Sequence, residues 1–146
     1  MVKHQAAVLL VEDDSNDVLL LQRALRRAHL SPRLVIVPDG EEAIRYLQGT
    51  GTFSDRQQFP TPSVILLDLR LPRRHGFEVL EWVHRDAHFK HLPVVVISSS
   101  DQGRDVQLAC DLGAIAYIRK TSSFEPLVNK LQQLLEPKEE LQPRLV

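Results

Sequence analysis

Cysteine is almost absent from this sequence, and so are long apolar runs and an excess of either charge. Cys110 is the one cysteine among 146 residues, which excludes an intrachain disulfide and the cysteine-rich zinc patterns. The 18 basic and 19 acidic residues give a formal net charge of -1, so no charge excess indicates binding to nucleic acid or to an anionic membrane. The apolar runs are too short to span a bilayer, and no secretory leader precedes Val8. We therefore expect a cytoplasmic protein that contacts neither nucleic acid nor membrane directly.

The length and apolar content of the chain indicate how many domains it forms. A chain of 146 residues with 43% hydrophobic residues is large enough for one domain with its own core. We expect a single domain over residues 1–146, with its core at about 6–136. The tail at 137–146 is either frayed or an arm that orders on a neighbouring subunit. The segment 49–63 is longer than a typical helix-to-strand loop, and it is either a partner surface or a tolerated insertion.

Short apolar runs alternate with amphipathic segments along the whole chain. The runs predict strands at 6–11, 33–37, 63–68, 93–98 and 115–118, and the segments between and after them predict helices at 15–29, 40–48, 76–86, 102–112 and 123–136. The strands are continuously apolar and do not alternate with polar residues, which is typical of a parallel sheet covered by helices on both faces. The sequence therefore predicts an α/β fold.

Polar residues at the helix ends support these boundaries. Ser15 is predicted to cap the first helix, Asp39 the second, and Ser122 or Ser123 the fifth, because such side chains accept hydrogen bonds from free helical N–H groups. Gly113 is predicted to end the fourth helix.

Polar side chains also follow four of the predicted strands, at the point where each strand ends. Glu12 and Asp13 follow the first strand, Asp68 ends the third, Ser98 ends the fourth and Lys120 follows the fifth. Because the carboxyl ends of parallel strands lie at one edge of a sheet, where ligands bind, we expect these side chains to meet.

The acidic residues of this set predict a magnesium site with phosphoryl chemistry. Glu12, Asp13 and Asp68 would repel one another and raise the pKa of at least one carboxyl unless a hard cation lay among them. Mg²⁺ prefers oxygen ligands and commonly combines one or two carboxylates with phosphate oxygens. A carboxylate that faces a metal-bound phosphoryl group can act as a nucleophile and form an acyl phosphate. We predict that Asp68 is this nucleophile.

The remaining residues of the set suit stabilisation of the transferred group. Its developing negative charge requires a cation and a hydrogen-bond donor, which Lys120 and Ser98 supply. Taken singly, Ser98 is equally consistent with an ordinary polar loop and Lys120 with an exposed lysine. For Asp14 and Asp17, just after the acidic pair, we prefer a helix-cap or loop interpretation.

These residues and their order resemble the receiver domain of two-component response regulators. The resemblance extends from about residue 6 to about residue 136 and depends on Val11-Glu12-Asp13, Leu66-Leu67-Asp68-Leu69 with Leu71-Pro72 and Gly76, Pro93-Val94-Val95-Val96-Ile97-Ser98, and Gly113-Ala114 through Tyr117 to Lys120. It implies a flavodoxin-like, doubly wound (βα)5 sheet of strand order 2-1-3-4-5. It also implies that a sensor histidine kinase donates the phosphoryl group.

The resemblance assigns a role to each site residue. It makes Asp68 the phosphoacceptor and Glu12 and Asp13 the acidic pair, with Mg²⁺ held by Asp13, Asp68 and the backbone carbonyl of Arg70. Lys120 would pair with the phosphate. Ser98 would turn toward the phosphoryl group, and Tyr117 would change rotamer with it. The signalling surface would be the face formed by the fourth helix, the fifth strand and the fifth helix.

Three features point to a subgroup within the family. Thr121 follows the active-site lysine, where many relatives carry a proline after a cis peptide bond, so the Lys120–Thr121 bond is either trans or strained. Together with the long connection 49–63 and the stretch Pro72-Arg73-Arg74-His75-Gly76, this resembles stand-alone regulators that are paired with phytochrome-type kinases.

The combined interpretation is a single-domain response regulator that transfers a phosphoryl group from a kinase histidine to Asp68 and slowly hydrolyses it. We expect a homodimer and no separate effector domain. One alternative is a magnesium-dependent phosphohydrolase of small phosphate esters, although no acid follows Asp68 closely enough to protonate a leaving group. The other alternative is a receiver-like interaction module that works without phosphate.

Overall fold

Short runs of branched aliphatic residues form the strands, and the amphipathic segments between them form helices. The computed structural model describes residues 6–71, 75–121 and 123–135. The strands are β1 (Ala7–Val11), β2 (Arg33–Val37), β3 (Val64–Asp68), β4 (Val94–Ser98) and β5 (Ala116–Arg119). The helices are α1 (Ser15–Arg27), α2 (Gly40–Gln48), α3 (Gly76–Arg85), α4 (Gly103–Asp111) and α5 (Glu125–Leu135), with a short 3-10 helix at Gly51–Phe53. Each of these helices and strands, apart from the 3-10 helix, lies within two residues of its predicted bounds.

The five strands form one parallel sheet in the order β2-β1-β3-β4-β5. This order confirms the predicted flavodoxin-like, doubly wound fold. The strand order reverses between β1 and β3, and the crevice outside the carboxyl ends of these two strands is where doubly wound sheets bind their ligands.

Both faces of the sheet are covered by helices. All residues of β1, β3 and β4 are buried, and their side chains alternate between two cores. Leu9 and Val11 pack with residues of α2 and α3, whereas Val8 and Leu10 pack with residues of α1 and α5. The edge strands β2 and β5 are only partly buried. The continuous apolar strands are thus explained by burial on both faces.

The helix ends agree with the sequence in all but one described case. Asp14, not Ser15, caps α1, and its carboxylate accepts from the amides of Asn16 and Asp17. The prediction for Ser15 was wrong because both residues can cap a helix and the extended backbone needed at the cap position is one residue earlier. Asp39 caps α2 as predicted.

The end of α4 and the start of α5 also follow the predictions. Gly113, with φ of 103°, follows α4 in a left-handed turn. Its amide donates to Cys110 and that of Ala114 donates to Ala109, as in a Schellman motif. Ser123 accepts from the amide of Glu125 at the start of α5, while Ser122 lies outside the described residues.

The segment 49–63 is folded against α2. The guanidinium of Arg56 donates to the carbonyls of Tyr46 (2.8 Å) and Leu47 (2.5 Å) at the end of this helix and to that of Phe59 (3.1 Å). The ring of Tyr46 contacts Phe53 and Phe59 edge to face. The connection is therefore an ordered layer at the amino-terminal edge of the sheet.

Two other predictions concern the chain near the site and at its end. No cis peptide bond occurs among the described residues, so the Lys120–Thr121 bond is trans. Residues 72–74 of the subgroup stretch and the predicted tail at 137–146 lie outside the described residues. Within the part of the chain that is described, no helix has the length and apolar character needed to cross a bilayer.

Candidate phosphoryl-transfer site

Strand register brings the four polar strand ends together at the carboxyl edge of the sheet. Val11 pairs with Leu67, so Glu12 and Asp68 come next on neighbouring strands. Across β4 and β5, Ser98 pairs with Arg119, the residue before Lys120, and the amide of Lys120 donates to the carbonyl of Ser98 at 2.7 Å. Parallel pairing thus brings the strand ends that carry Glu12, Asp68, Ser98 and Lys120 to the same edge of the sheet.

The ammonium of Lys120 lies among three carboxylates. Its Nζ donates to Glu12 Oε1 at 2.7 Å, to Asp17 Oδ2 at 2.7 Å and to Asp68 Oδ2 at 2.9 Å. The exposed fractions of the side chains are 16% for Lys120, 1% for Glu12 and 6% for Asp68. Because these groups are withdrawn from water, their charges interact strongly.

Burial and charge shift the pKa values of two of these groups. Burial, together with a hydrogen bond to Asp68, raises the pKa of Glu12 to about 8, although Lys120 opposes this shift. For Lys120, burial alone would lower the pKa, but hydrogen bonds to Asp17, Glu12 and Asp68 raise it above its ordinary value. The lysine is therefore firmly charged, whereas negative charge is in excess around it.

Oxygen atoms of Glu12, Asp13 and Asp68 lie within 4.8 Å of one another. Glu12 and Asp68 are buried and Asp13 is exposed, so the cluster opens to solvent on one side. An all-oxygen, carboxylate-rich set suits a hard divalent cation, and the pKa of Glu12 is raised first by its burial and then by the neighbouring Asp68. The amide of Arg70 donates to Asp68 Oδ1 at 3.0 Å, which places this residue beside the cluster.

Ser98 at the end of β4 and Tyr117 on β5 are both hydrogen-bonded to Ser100. Ser98 is fully buried, and its Oγ accepts from the amide of Ser100 at 3.1 Å. Tyr117 donates its hydroxyl to the carbonyl of Ser100 at 2.8 Å. Ser100 in turn donates its hydroxyl to Asp105 on α4 at 2.7 Å. This chain of contacts connects the end of β4 with β5 and α4.

Gly76 allows α3 to approach the strand end that carries Asp68. A Cβ at this position would lie 2.7 Å from the carbonyl oxygen of Asp68 and 2.7 Å from Cα of Leu69. The amide of Gly76 donates to the carbonyl of Leu69 at 3.2 Å. Only glycine leaves room for this close packing.

Asp17 is the site residue that the sequence interpretation missed. We interpreted it as a cap or loop residue, but it lies in the first turn of α1 and binds Lys120. The interpretation was correct for Asp14. No pattern in the sequence separates the two aspartates, because the partner of Asp17 is 103 positions further along the chain.

A doubly wound parallel sheet with an acidic cluster and a lysine at the carboxyl end of its strands is typical of proteins that carry out phosphoryl transfer. The sequence matches the response regulator receiver domain over residues 8–132. The chain belongs to this family.

Individual relatives cover most of the chain. The response regulator Rcp1 of Synechocystis sp. is 34% identical over 125 residues, which are 86% of this chain and 83% of Rcp1. The phosphorylated cyanobacterial phytochrome response regulator RcpA has a TM-score of 0.80 at 34% identity, covering 90% of this chain and 94% of RcpA. The bacteriophytochrome response regulator RtBRR has a TM-score of 0.79 at 39% identity, covering 90% of this chain and 78% of the RtBRR chain.

Membership of the receiver family indicates a divalent metal and a kinase partner. Receiver domains bind a divalent metal, and a structure of Rcp1 in its Mn²⁺-bound form has a TM-score of 0.76 to this chain at 33% identity, covering 90% of this chain and 96% of the Rcp1 chain. Membership of the family also implies a histidine kinase as partner. Neither the phosphohydrolase nor the phosphate-independent module is favoured by these similarities.

Proposed function

We propose that this response regulator accepts a phosphoryl group from a sensor histidine kinase on Asp68, in a reaction that requires Mg²⁺. The observation that supports this most is the position of Asp68, which is buried beside Glu12 and Asp13 and bonded to Lys120. Its carboxylate is thus next to the acidic pair and accepts a hydrogen bond from the ammonium of Lys120 at 2.9 Å.

The transfer itself makes and breaks one bond to phosphorus. A carboxylate oxygen of Asp68 forms a P–O bond while the P–N bond to the kinase histidine breaks, and the electron pair of that bond remains on the imidazole. Lys120 stabilises the negative charge on the phosphoryl oxygens. The product is an aspartyl phosphate.

Glu12, Asp13 and Asp68, with the backbone carbonyl of Arg70, are the proposed residues of the Mg²⁺ site. When bound, the cation neutralises charge on the phosphoryl oxygens and on the carboxylates. The carboxylates of this chain would orient the cation and the phosphoryl group. The burial of Glu12 and Asp68 keeps water from one side of the site.

Ser98 and Tyr117 are the proposed switch residues. Phosphorylation adds negative charge and acceptor oxygens at Asp68, which favour rotation of the Ser98 hydroxyl toward the phosphoryl group. This rotation would break its bond to the Ser100 amide, and Ser100 also holds the hydroxyl of Tyr117. A change at Ser98 is thus transmitted to β5 and α4.

The proposed kinase is of the phytochrome type. The support is the similarity to RcpA and RtBRR, each described as a phytochrome or bacteriophytochrome response regulator. The proposed assembly is a homodimer through the face formed by α4, β5 and α5. Exposed apolar side chains there are Leu108 on α4 and Ile115, the residue immediately before β5.

Substitution of Asp68 tests the proposal. The parent protein is incubated with acetyl phosphate and Mg²⁺, and intact-mass spectrometry measures the phosphorylated fraction. Asp68→Asn is expected to abolish the hydroxylamine-sensitive phosphorylated species, because the amide is not a comparable nucleophile. Omitting Mg²⁺ and adding EDTA should suppress labelling of the parent.

Asp55→Asn is the matched control, since Asp55 is exposed in the 49–63 connection at the opposite edge of the sheet. It should be phosphorylated at the parent rate. Labelling that persists in Asp68→Asn would show that the phosphorylated residue is a different one.

A further inference from the structure

Asp17 contacts the site from a helix that carries no other residue of it. The carboxylate is in the first turn of α1 and accepts from Lys120 Nζ at 2.7 Å, as short as the bond from Lys120 to Glu12. The Asp17 side chain is 23% exposed. The contact is therefore a partly buried, charge-assisted hydrogen bond, which is stronger than an exposed ion pair.

This bond completes the hydrogen bonding of the lysine. An ammonium group has three N–H donors, and Lys120 directs one each to Glu12, Asp17 and Asp68. The lysine side chain is flexible, so its ammonium group has a fixed position only when acceptors bind its N–H groups. Three acceptors on β3, α1 and the end of β1 together fix the position of Nζ.

The three acceptors behave differently when Asp68 reacts. Its oxygen becomes bonded to phosphorus, so the N–H now directed to Asp68 is the one free to turn to a phosphoryl oxygen. Glu12 lies with Asp68 in the proposed metal cluster, so a cation bound there would compete with Lys120 for its carboxylate. Asp17 is outside that cluster, and its bond to Lys120 can persist through the transfer.

We propose that Asp17 is a positioning residue that holds Lys120 toward the phosphoryl group during transfer to Asp68. The inference depends on the proposed function, since it assigns Asp17 a part in that reaction. Asp17 touches neither Asp68 nor the phosphoryl group in this scheme and acts through the lysine alone. Its removal leaves the ammonium with two acceptors and a choice of orientations, which lowers the fraction of productive geometries.

The first test measures the rate of phosphorylation. In the reaction with acetyl phosphate, the Asp68 oxygen forms a bond to phosphorus, the P–O bond to the acetyl group breaks, and acetate leaves with the electron pair. Asp17→Ala is expected to react about tenfold more slowly than the parent. Asp17→Asn should be intermediate, because its amide oxygen still accepts a hydrogen bond but without the charge.

Asp14→Asn is the matched control. It removes the same charge from the amino-terminal end of α1 and keeps the cap, since asparagine caps a helix as well as aspartate does. It should react at the parent rate. A rate for Asp17→Ala equal to that of Asp14→Asn would overturn the inference.

The second test needs neither metal nor phosphodonor. In metal-free protein, the Nζ–H signals of Lys120 are observed by ¹⁵N NMR, because an ammonium whose donors are all bonded exchanges slowly with water. Exchange is expected to accelerate in Asp17→Ala and to stay at the parent rate in Asp14→Asn. Unchanged exchange in Asp17→Ala would overturn the positioning role even if its phosphorylation were slow.

The two tests separate the two proposals. If the parent is not phosphorylated on Asp68, the proposed function fails, and with it the catalytic part of the inference. The NMR experiment would still decide whether Asp17 holds Lys120. If the parent is phosphorylated and Asp17→Ala matches it, only the inference fails.

Discussion

Arg56 and Tyr46 show how single side chains satisfy backbone groups that the regular elements leave free. Arg56 donates to two carbonyls in the last turn of α2, those of Tyr46 and Leu47, where the helix leaves carbonyl groups without an i+4 amide. The Tyr46 carbonyl also accepts from the amide of Gly49. The Arg56 guanidinium also lies 5.8 Å from the centre of the Tyr46 ring. The hydroxyl of Tyr46 donates to the carbonyl of Pro60 at 2.7 Å. Two residues therefore attach the whole 49–63 connection to α2.

Tyr46 is predicted to make the protein sensitive to alkaline conditions. Burial raises its pKa above the ordinary value of 10.0, although the charges of Arg56 and Arg33 oppose the shift. Above the ordinary value the unfolded chain releases the phenolic proton while the native state retains it, so stability falls as pH rises. Below that value the effect is absent. Urea unfolding of the parent between about pH 8 and pH 11 should show this loss.

Tyr46→Phe provides the comparison. The variant loses the hydrogen bond to Pro60 and should be less stable than the parent by about 1 kcal/mol near neutral pH. The difference should shrink as pH rises, because phenylalanine has no proton to lose. A difference that stays constant to the alkaline limit would contradict a buried, proton-retaining Tyr46.

At the level of residues, the sequence is sufficient to predict the site residues that lie at the ends of strands. Glu12, Asp13, Asp68, Ser98 and Lys120 each end or follow an apolar run, and a parallel sheet brings such positions together. The contacts of Asp17 with Lys120 and of Arg56 with α2 depend on how helices and loops pack, which no local pattern records.

Among the elements, α3 is the one whose packing bears most directly on the site. Gly76→Ala would place a methyl group 2.7 Å from the Asp68 carbonyl oxygen, so the helix or the strand end must shift. We expect a loss of about 1–3 kcal/mol in the free energy of unfolding. Urea denaturation measures this loss, and the phosphorylation assay should show a slower reaction because Asp68 is displaced.

Gly103→Ala is the matched control for this substitution. Gly103 also begins a helix, α4, and a Cβ there would meet no heavy atom within 4 Å. Alanine favours the helix over glycine by up to about 1 kcal/mol, so this variant should be as stable as the parent or more stable. Equal effects of the two substitutions would show that the close approach at Gly76 carries no cost.

The elements themselves were the best-predicted level of the structure. Strands buried on both faces give uninterrupted apolar runs. The helices give apolar residues at intervals of three and four, such as Leu127, Val128 and Leu131 of α5, which are all buried. The errors were confined to ends. At the start of α1 two adjacent residues were both competent caps, and the choice depended on backbone conformation.

For the molecule as a whole, the strand order came from the resemblance to receivers and not from periodicity. Apolar runs identify strands but not their neighbours, because any two of them would bury similar surface. The order β2-β1-β3-β4-β5 is now given by the pairing. Strand β5 is at the edge of the sheet, where its Tyr117 packs in the same core as Ala109 of α4, and its Ala116 and Ile118 pack in the same core as residues of α5.

Phosphorylation is predicted to strengthen a dimer at this edge. Leu108 and Ile115 are 43% and 47% exposed, and burying such side chains favours association. Sedimentation equilibrium with and without beryllofluoride, a phosphoryl mimic, should show a shift toward dimer with the mimic. Leu108→Ser and Ile115→Ser should each weaken the dimer.

Leu19→Ser is the control, since Leu19 is 44% exposed but lies on α1, outside the proposed face. It should leave the dimer unchanged. Equal weakening by all three substitutions, or a purely monomeric protein in both states, would contradict association through this face.

The attachment of the 49–63 connection has a practical consequence. It is held at the start of β2, where Arg33 donates to the carbonyls of Gln57 and Gln58, and at the end of α2, so it lies at the edge of the sheet remote from Asp68. A fluorescent dye or an affinity handle joined at the exposed Thr52 would therefore follow the protein through a signalling cycle without disturbing the chemistry it reports.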